Sequence, residues 1–398
     1  IIGKLHIGAD FVWNGMAVDF SQPMKIGPKE WGFDYSFVTI TGHQGPPYAF
    51  FENNRIVGDP SNVLQLLKGS DHGAPIPTTG PGLPEWNSKQ VSYRLLEKAI
   101  KFIQDSDEQP FYLHYSTVGA HSPWTPPEKL FGDPVAGKTG LSAHADMVYE
   151  VDVVLGKILT TLKNTGKLDN TIIVLTSDNG GSNVDAPLGH NANLGLKGEK
   201  SFIFEGGHRV PLIVRWPGHV PANTVSKQLI GNHDMVATFA DIANVQYADN
   251  QVLDSISFLP VLLQQQSEEK DLRESLLIDS GLGRDATSER EPNWQEIQHS
   301  NANSEFWFQQ VKRWIFTKGV AATSPLLGRP DTISDPPTTN EYWKINIKKG
   351  VKSGSNGMAH AVREGPWKLV LDIENDAPAA LYNLDDDLAE QQNLINDR

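Results

Sequence analysis

Apolar and β-branched residues gather along the chain in short runs that are bounded by turn residues. Four of these runs predict strands, at residues 1–8, 110–119, 171–181 and 210–218. Between and after the runs, apolar residues recur at helical spacing in residues 88–106, 141–167 and 233–245. Strands that are apolar throughout and alternate with helices are typical of a mostly parallel sheet with both faces covered. The pattern therefore predicts an α/β fold, a doubly wound sheet that binds ligands outside the carboxyl ends of its strands.

The pattern changes after residue 245. Residues 281–356 are rich in Gly, Pro and Asn and show little periodicity. Two later runs, 361–372 and 380–384, predict antiparallel strands with a turn at Glu364–Pro366. We therefore predict an α/β core over residues 1–245 and a smaller α+β domain over residues 246–398, with an insertion at about 281–356.

Composition narrows the classes of function. The 398 residues carry a net charge of -14, which argues against a general nucleic-acid binder because such a protein needs a basic face. No apolar run approaches the roughly 18 residues of a membrane helix. The chain has no cysteine, which excludes disulfides, zinc–thiolate sites and an encoded thiol nucleophile. It starts at Ile1 within a predicted strand, so we expect a piece of a longer protein.

An acid and an amide stand side by side at the end of the third predicted strand, in TIIVLTSDNGG. Neighbouring strand residues face opposite ways, so Asp178 and Asn179 can reach one ligand only where the strand ends and the chain turns. Gly180 and Gly181 permit such a turn. Carboxylate and amide oxygens suit Ca²⁺ or Mg²⁺. For this short stretch alone, an Asx turn that ends the strand is the better interpretation.

Basic and titratable side chains occur near the other predicted strands. Lys4 and His6 share one face of a strand, an arrangement that can hold an anion and move a proton, although a solvated edge explains the pair as well. His121 follows the strand FYLHYST in a loop stiffened by Pro123 and Trp124. A loop histidine by itself is more often structural or exposed than catalytic, but a position at the carboxyl end of a core strand favours function. His114, within that strand, is predicted to be a core histidine.

Two further lysines flank a glycine-containing loop. Lys197 and Lys200 precede Glu205-Gly-Gly-His-Arg, which leads into the fourth predicted strand. A lysine ammonium is a compact charge that suits a tetrahedral oxyanion. A solvated basic turn is the alternative, and it fits Lys197 better than both lysines together.

The order of these motifs is more specific than any one of them. It runs GK-x-H-x-G, a strand-end H-x-P-W, TSDNGG, K-x4-E-G-G-x-R-V-P, and finally VREGPWKL with LYNLDDDLAEQQNL. Over residues 1 to about 262 and about 358–394, the chain resembles the type I sulfatases of the alkaline phosphatase superfamily. The resemblance implies a Ca²⁺ ion, with Mg²⁺ less favoured, at the carboxyl edge of a doubly wound sheet.

The resemblance also implies roles for individual residues. Asp178 and Asn179 would bind the metal. Lys4 would contact the sulfate and the nucleophile, and Lys200 would bind the sulfate and is an alternative to His121 as the acid for the leaving oxygen. His6 would transfer a proton at the nucleophile, and His121 would contact the sulfate and the leaving oxygen. The further candidates for substrate contact are His43, Trp124, His190, Asn191 and Asn193.

Aromatic and polar residues in the predicted insertion suit sugar rings, although packing within a small lobe explains them almost as well. These residues are Trp294, His299, Asn301, Trp307, Trp314, Tyr342 and Trp343.

The chain also departs from the family pattern. It has no C/S-x-P-x-R motif, whose Cys or Ser becomes the formylglycine nucleophile, and no Asp-Asp pair upstream of GK-x-H. Two of four expected metal ligands, the nucleophile and its arginine are therefore absent. We expect that these 398 residues alone do not turn over a sulfate ester.

The sequence as a whole predicts a formylglycine- and Ca²⁺-dependent sulfuric-ester hydrolase. Its expected partner is a sulfated carbohydrate or aryl sulfate, with no nucleic acid and no membrane, and its expected location is periplasmic or secreted. The alternatives are a phospho- or phosphonate-ester hydrolase of the same superfamily, or an inactive module that binds sulfated glycans.

Overall fold

The computed structural model describes most of the chain. The described residues are 1–6, 9–14, 17–60, 62–70, 73–107, 109–248, 251–266, 270–280, 359–372 and 377–396. They form two compact units, the first over residues 1–168 and the second over the described residues from 169 onward. The predicted boundary near residue 245 stays a prediction. The predicted insertion at 281–356, with its aromatic residues, lies outside the described residues.

The first unit contains a five-stranded mixed sheet and two long helices. Its strands are β1 (Ile2–Lys4), β2 (Trp13–Asn14), β3 (Ala17–Val18), β4 (Phe37–Thr39), β5 (Phe51–Glu52), β6 (Arg55–Ile56), β7 (Asn62–Ser70), β8 (Gly73–Gly82), β9 (Tyr115–Ser116), β10 (Lys129–Leu130) and β11 (Asp133–Pro134). Its helices are α1 (Val91–Asp105) and α2 (Ala143–Asn164). The sheet order is β6-β5-β4-β1-β9, while β2–β3, β7–β8 and β10–β11 form separate antiparallel pairs.

The central strand β1 runs parallel to both of its neighbours, β4 and β9. The sheet then continues antiparallel through β5 and β6. Asn53 and Asn54 join these two strands in a two-residue turn with φ of 48° and 66°. Such a turn requires positive φ at both residues, and asparagine tolerates it well. The α/β class is therefore as predicted, and the described sheet is mixed because this hairpin extends it.

Both faces of this sheet are covered, as the continuous apolar runs predict. Phe37 packs with Ile2 and with Leu95 of α1 in one core cluster. Its neighbour Val38 points to the other face and packs with Phe11 in a second cluster. Because successive strand residues alternate between faces, one short strand contributes to two cores.

The two predicted helices of this unit are confirmed. In α1 the residues buried at helical spacing include Val91, Leu95 and Ala99. In α2 the Ser142 hydroxyl accepts a hydrogen bond from the Ala145 amide at 3.0 Å and caps the first turn. Gly166, at φ 73°, follows the last turn, where a left-handed residue commonly ends a helix.

The second unit contains a strand pair, a four-stranded antiparallel sheet and three short helices. Its strands are β12 (Ile173–Thr176), β13 (Leu212–Arg215), β14 (Ser275–Ser280), β15 (Ala359–Glu364), β16 (Trp367–Asp372) and β17 (Ala377–Asn383). Its helices are α3 (Glu205–His208), α4 (Asp234–Ile242) and α5 (Leu259–Leu262). Strands β12 and β13 pair antiparallel, and the sheet order is β14-β15-β16-β17.

The predicted C-terminal hairpin is confirmed. Glu364 pairs with Trp367 across the β15–β16 turn, and Gly365 adopts a φ of 52° there. The sheet buries Val370 and Tyr382 against Ile203 and Phe204, which immediately precede α3. The sequence pattern did not predict strand β14. In the part of the chain that the structure describes, no helix has the length and apolar character needed to span a bilayer.

Candidate functional site

The predicted metal-binding residues lie in the loop that follows β12. Asp178 is exposed and Asn179 is half-buried. The Ser177 hydroxyl donates to the Asn179 carbonyl, and the Asn179 side-chain amide donates to the Gly180 carbonyl, each at 2.9 Å. The second bond orients the Asn179 amide group. The loop therefore presents a carboxylate and an amide oxygen one residue apart.

Backbone contact between glycines joins this loop to α3. The Gly180 amide donates to the Gly207 carbonyl at 2.8 Å. A Cβ atom on Gly180 would lie 1.9 Å from the Gly206 carbonyl oxygen, a distance that real Cβ contacts do not reach. The backbone of the EGG segment therefore requires glycine at position 180, although the two segments are distant in sequence.

Lys200 belongs to the same group of loops. Its backbone amide donates to the Gly181 carbonyl at 3.2 Å, and its side chain is half-buried. The Gly206 amide donates to the Lys197 carbonyl at 2.7 Å, which attaches the lysine loop to α3 as well. The structure thus brings the Asp178–Asn179 loop, the Lys200 loop and α3 together through their backbones.

The remaining candidates of this unit lie close by in sequence. His190 is exposed, and its amide donates to the Asp185 carbonyl at 3.2 Å. Asn191 is exposed, and its side-chain oxygen accepts from the Asn193 amide at 3.2 Å. Asn193 itself is buried.

The candidates of the first unit gather at the ends of its parallel strands. Lys4, the last residue of β1, pairs with Thr39 of β4. Beyond β4, Gly42 leaves room for the Lys4 stem, since a Cβ atom there would lie 3.3 Å from Lys4 Cδ. His43 follows in the same loop and is buried, with Nε2 3.1 Å from the His121 carbonyl oxygen. This contact joins the loop after β4 to the loop after β9.

The protonation of two histidines follows from their surroundings. Burial lowers the pKa of His43, and the nearby positive charge of Lys4 lowers it further, so this ring is neutral at pH 7. His121 Nδ1 lies 2.8 Å from the Ser122 carbonyl oxygen. A carbonyl only accepts, so Nδ1 carries the proton and Nε2 is the acceptor nitrogen of the neutral ring.

Three more side chains of this unit can be placed. His6 is half-buried, and its amide donates to the Ile40 carbonyl at 2.7 Å. The Trp124 ring meets His144 of α2 edge-on, with centroids 5.5 Å apart. His114 is exposed and contacts the Ser116 hydroxyl at 3.0 Å, so its prediction as a core histidine is wrong.

The oxygen donors after β12 fit a hard cation. Asp178 supplies a carboxylate and Asn179 an amide oxygen, the ligand types that Ca²⁺ prefers. Ca²⁺ takes about six to eight oxygen ligands, so these two side chains form part of a set. Within the described ranges, the structure has no group of three or more His, Cys, Asp or Glu side chains that could hold a metal ion.

A buried ion cluster supports α3. The sequence pattern did not predict it. The side chains of Glu205, Lys368 and Glu390 are all 0% exposed. Lys368 Nζ lies 3.1 Å from Glu205 Oε1 and 2.8 Å from Glu390 Oε1, and the Glu205 amide donates to Glu390 Oε2 at 2.6 Å. The cluster ties the EGG, WKL and LAEQQNL motifs to each other. Of the three charged residues, only Lys368 stands within an apolar run that could have indicated it, in WKLVL.

The charges of this cluster shift the pKa of its members. Burial alone would raise the pKa of Glu205, but the positive charges of Lys368 and Arg363 and the hydrogen bond from Arg209 outweigh burial and lower it. Burial raises the pKa of Glu390 in spite of Lys368. Burial and the Lys368 charge lower the pKa of His208 to about 4, so His208 is neutral beside the lysine.

The fold and these strand-end loops define an alkaline-phosphatase-like α/β protein. The structure matches that of a Bacteroides thetaiotaomicron protein solved in a study of the metabolism of multiple glycosaminoglycans, with a TM-score of 0.67 and 21% identity over 100% of this chain and 75% of that one. The family model described as Sulfatase matches residues 14–245, more than half of the chain. The chain therefore belongs to the sulfatase family.

Two curated relatives carry related names. The N-acetylgalactosamine-6-O-sulfatase of Bacteroides thetaiotaomicron is 26% identical over 352 residues, which cover 77% of this chain and 65% of that protein. The N-acetylgalactosamine-6-sulfatase of Rattus norvegicus is 35% identical over 171 residues, which cover 42% of this chain and 32% of that protein. The chain thus spans less than two thirds of the length of either relative.

Proposed function

We propose that the protein hydrolyses the sulfate ester of a sulfated carbohydrate, and that N-acetylgalactosamine 6-sulfate is the first substrate to test. The main support is the backbone contact that joins the Asp178–Asn179 loop, the Lys200 loop and α3 in one unit. Packing alone does not require an acid, an amide and a lysine on loops held this closely. Both curated relatives are named for 6-sulfated N-acetylgalactosamine.

In the second unit, the residues proposed to recognise the sulfate ester are those of the joined loops. Lys200 binds a sulfate oxygen as a compact point charge. Asp178 and Asn179 hold Ca²⁺, which when bound supplies positive charge next to the sulfuryl oxygens. His190 is proposed to contact the sugar, consistent with its exposure on the neighbouring loop.

In the first unit, the proposed roles concern the anion and the proton. Lys4 binds sulfate, and His6 accepts a proton at the nucleophile. In its doubly protonated form His121 donates a proton to the leaving oxygen from Nε2, while the Ser122 carbonyl keeps the Nδ1 proton. His43 is buried and neutral, so it contributes no charge. Its contact with the His121 carbonyl is proposed to hold the His121 loop in place. Trp124 offers an aromatic face of the kind on which sugars stack.

The formylglycine nucleophile is a feature of the sulfatase family, and no residue of this chain is proposed for that role. The chain contains no cysteine and no C/S-x-P-x-R motif, so none of its 398 residues fits as the precursor. We derive no step from that group.

Calorimetry with the 398-residue chain in the presence of Ca²⁺ tests the proposal. N-acetylgalactosamine 6-sulfate should bind, and N-acetylgalactosamine should not. Lys200→Met should weaken binding by about tenfold or more, because it removes a charge-assisted contact to the anion. Lys163→Met, which removes an exposed lysine of α2, should bind as the wild type does.

Three results would contradict the proposal or redirect it. Equal binding of both sugars, or an unaffected Lys200→Met variant, would refute recognition of the sulfate. Competition by the 6-phosphate as strong as by the 6-sulfate would favour the phospho-ester alternative. Tight binding of the 6-sulfate by the protein in its longest natural form, without sulfate release, would favour the inactive glycan-binding module.

We also propose that the protein acts in the periplasm or outside the cell. Polymeric sulfated carbohydrates do not cross a membrane unaided, so an enzyme that degrades them must meet them there. Fractionation of the source cells, with immunodetection of this chain, should find it outside the cytoplasm.

A further inference from the structure

Asn193 makes three side-chain hydrogen bonds to backbone groups of two loops. Its Oδ1 accepts from the Gly181 amide at 3.0 Å. Its Nδ2 donates to the Gly181 carbonyl and to the Gly198 carbonyl, both at 3.0 Å. The residue is only 7% exposed, so these bonds are shielded from water. The Asn193 side-chain amide therefore makes these three hydrogen bonds to the backbone of its own chain.

The two bonded loops carry the residues proposed to bind metal and sulfate. Gly181 lies two residues after Asn179, and Gly198 lies two residues before Lys200. The Gly181 carbonyl also accepts from the Lys200 amide at 3.2 Å. One side chain therefore fixes the distance between the two loops at the point where they approach each other.

The bonding pattern selects an asparagine side chain. It needs one acceptor and two donors on a short, planar group, which the carboxamide supplies. Aspartate has the same shape but no donor, so its second oxygen would face two carbonyl oxygens. Alanine would leave the Gly181 amide without this acceptor, and an unsatisfied buried polar group is destabilising. A Cβ atom on Gly181 would lie 2.9 Å from Asn193 Oδ1, so Gly181 must be small as well.

We propose that Asn193 is a positioning residue that sets the Asp178–Asn179 loop and the Lys200 loop in one fixed arrangement. It touches neither the metal nor the substrate and acts through the backbone of Gly181 and Gly198. Its effect on ligands rests on the proposed function, whereas its effect on the loops does not. Loss of Asn193 should therefore loosen Lys200 and weaken metal binding together.

Amide hydrogen exchange of the 398-residue chain tests the effect on the loops. In Asn193→Asp, protection of the Lys200 amide should fall about tenfold or more, because its acceptor at Gly181 is no longer held. Amides of β14–β17 should keep their protection. The matched control is Thr238→Ala, since Thr238 is also buried in this unit and also bonds backbone, at Asp234 and Phe258. This control should leave the Lys200 amide as in the wild type.

Two exchange results would overturn the proposal. One is unchanged Lys200 protection in Asn193→Asp. The other concerns the wild type and remains decisive if the variant does not fold. In the wild type, the Gly181 and Lys200 amides should exchange with the same opening free energy, because both depend on Asn193. Independent exchange of these two amides would refute a shared support.

Calorimetry with Ca²⁺ and with N-acetylgalactosamine 6-sulfate tests the effect on ligands. Residues that support metal ligands typically contribute about 10- to 100-fold to metal affinity, and we expect a loss of that size in Asn193→Asp. The affinity for the sulfated sugar should fall as well, and Thr238→Ala should alter neither. Unchanged affinities in Asn193→Asp would overturn the positioning role. If the wild type bound neither ligand, the proposed function would fail, while the exchange data would still decide the role of Asn193.

Discussion

At the scale of single residues, the loop after β12 can adopt its conformation because its glycines have no side chain. Gly180 lies against the backbone of Gly206 and Gly207, so even a methyl group has no room there. Asp178 and Asn179 can point outward because the next residue is held against α3. The sequence SDNGG by itself suggests only an Asx turn. In the structure its Gly180 packs tightly against the backbone of α3.

Gly180→Ala should destabilise the protein. Its Cβ would have to displace the Gly206 carbonyl, and overpacking of this kind costs about 1–3 kcal/mol. Thermal unfolding measures the loss, and exchange at the residue 180 amide should become faster. Gly156→Ala in α2 is the control, because a Cβ there meets no described atom within 4 Å. It should raise stability by up to about 1 kcal/mol. Equal stability of Gly180→Ala and the wild type would refute the contact.

At the scale of elements, α2 packs on α1 and β9 with the carboxyl group of Glu150 buried between them. Glu150 is 2% exposed, close to Ser92 of α1 and Tyr115 of β9. Burial raises its pKa from 4.5 to about 7. Between these values the unfolded state loses its proton while the folded state retains it, so stability falls as pH rises through this range. Above pH 7 the loss is complete.

Glu150→Gln should remove this pH dependence. The amide has the shape of the protonated acid and no charge to bury, so the variant should gain relative to the wild type as pH rises from 5 to 8. The expected gain is on the order of 3 kcal/mol. Urea unfolding at both pH values measures it. Asp152→Asn, at an exposed position of the same helix, should follow the wild type at both pH values. A constant difference between Glu150→Gln and the wild type would contradict the assignment.

A second contact between elements is the ion cluster that joins α3, β16 and the segment after β17. Lys368 lies between Glu205 and Glu390 with no exposure to water. Glu205 Oε2 also lies 3.1 Å from Arg209 Nη1. A buried ion pair adds little relative to apolar residues of the same shape, but removing one partner leaves an uncompensated charge. The cluster therefore affects the stability of the protein mainly when one of its members is removed.

Lys368→Met should destabilise the protein by about 3–5 kcal/mol, because two buried carboxylates lose their shared cation. Adding Glu390→Gln should recover part of that loss, since one of the two charges is then removed. Chemical denaturation measures both variants against Lys270→Met, which removes an exposed lysine of the same unit and should be neutral. A double variant no more stable than Lys368→Met would show that charge is not the cause.

At the scale of the whole molecule, an anionic chain is proposed to bind an anion. The net charge of -14 repels a sulfate ester at long range. Lys4 and Lys200 are proposed to act on the sulfate at contact distance, where screening by salt is weak. Global charge therefore excludes nonspecific binding of polyanions without excluding a specific sulfate site.

The 398-residue chain should not turn over an aryl sulfate by itself. The family mechanism needs a formylglycine made within C/S-x-P-x-R, and these residues contain no such motif. Sulfate release from an aryl sulfate, measured on a preparation whose intact mass matches this chain, should stay at the level of buffer. A longer natural form that contains the motif is the positive control. Rapid turnover by the 398-residue preparation would show that another nucleophile operates.

Local pattern was enough to predict the three longest helices, α1, α2 and α4, and the strands β1, β9, β12, β13 and β15–β17. It predicted none of the other ten described strands and neither of the short helices α3 and α5. The spacing of Val91, Leu95 and Ala99 determined α1, and Gly365 between two apolar runs determined the β15–β16 hairpin. The order of the motifs was enough to indicate the family, which the match over residues 14–245 shows. Hydrophobic periodicity and turn chemistry depend on neighbours in sequence, so they are visible without a fold.

Only the tertiary structure decided which distant residues meet. Gly180 meets Gly207, Asn193 bonds two loops, and Lys368 lies between two glutamates. These contacts join residues that are 5 to 163 positions apart. The Asn53-Asn54 turn was readable from sequence but was missed, whereas the partners of Asn193 were not readable. A buried amide or charge is chosen by the groups that surround it after the chain has folded, and local sequence does not name those groups. Sequence alone therefore proposes the site residues, and the fold decides which of them share a loop arrangement.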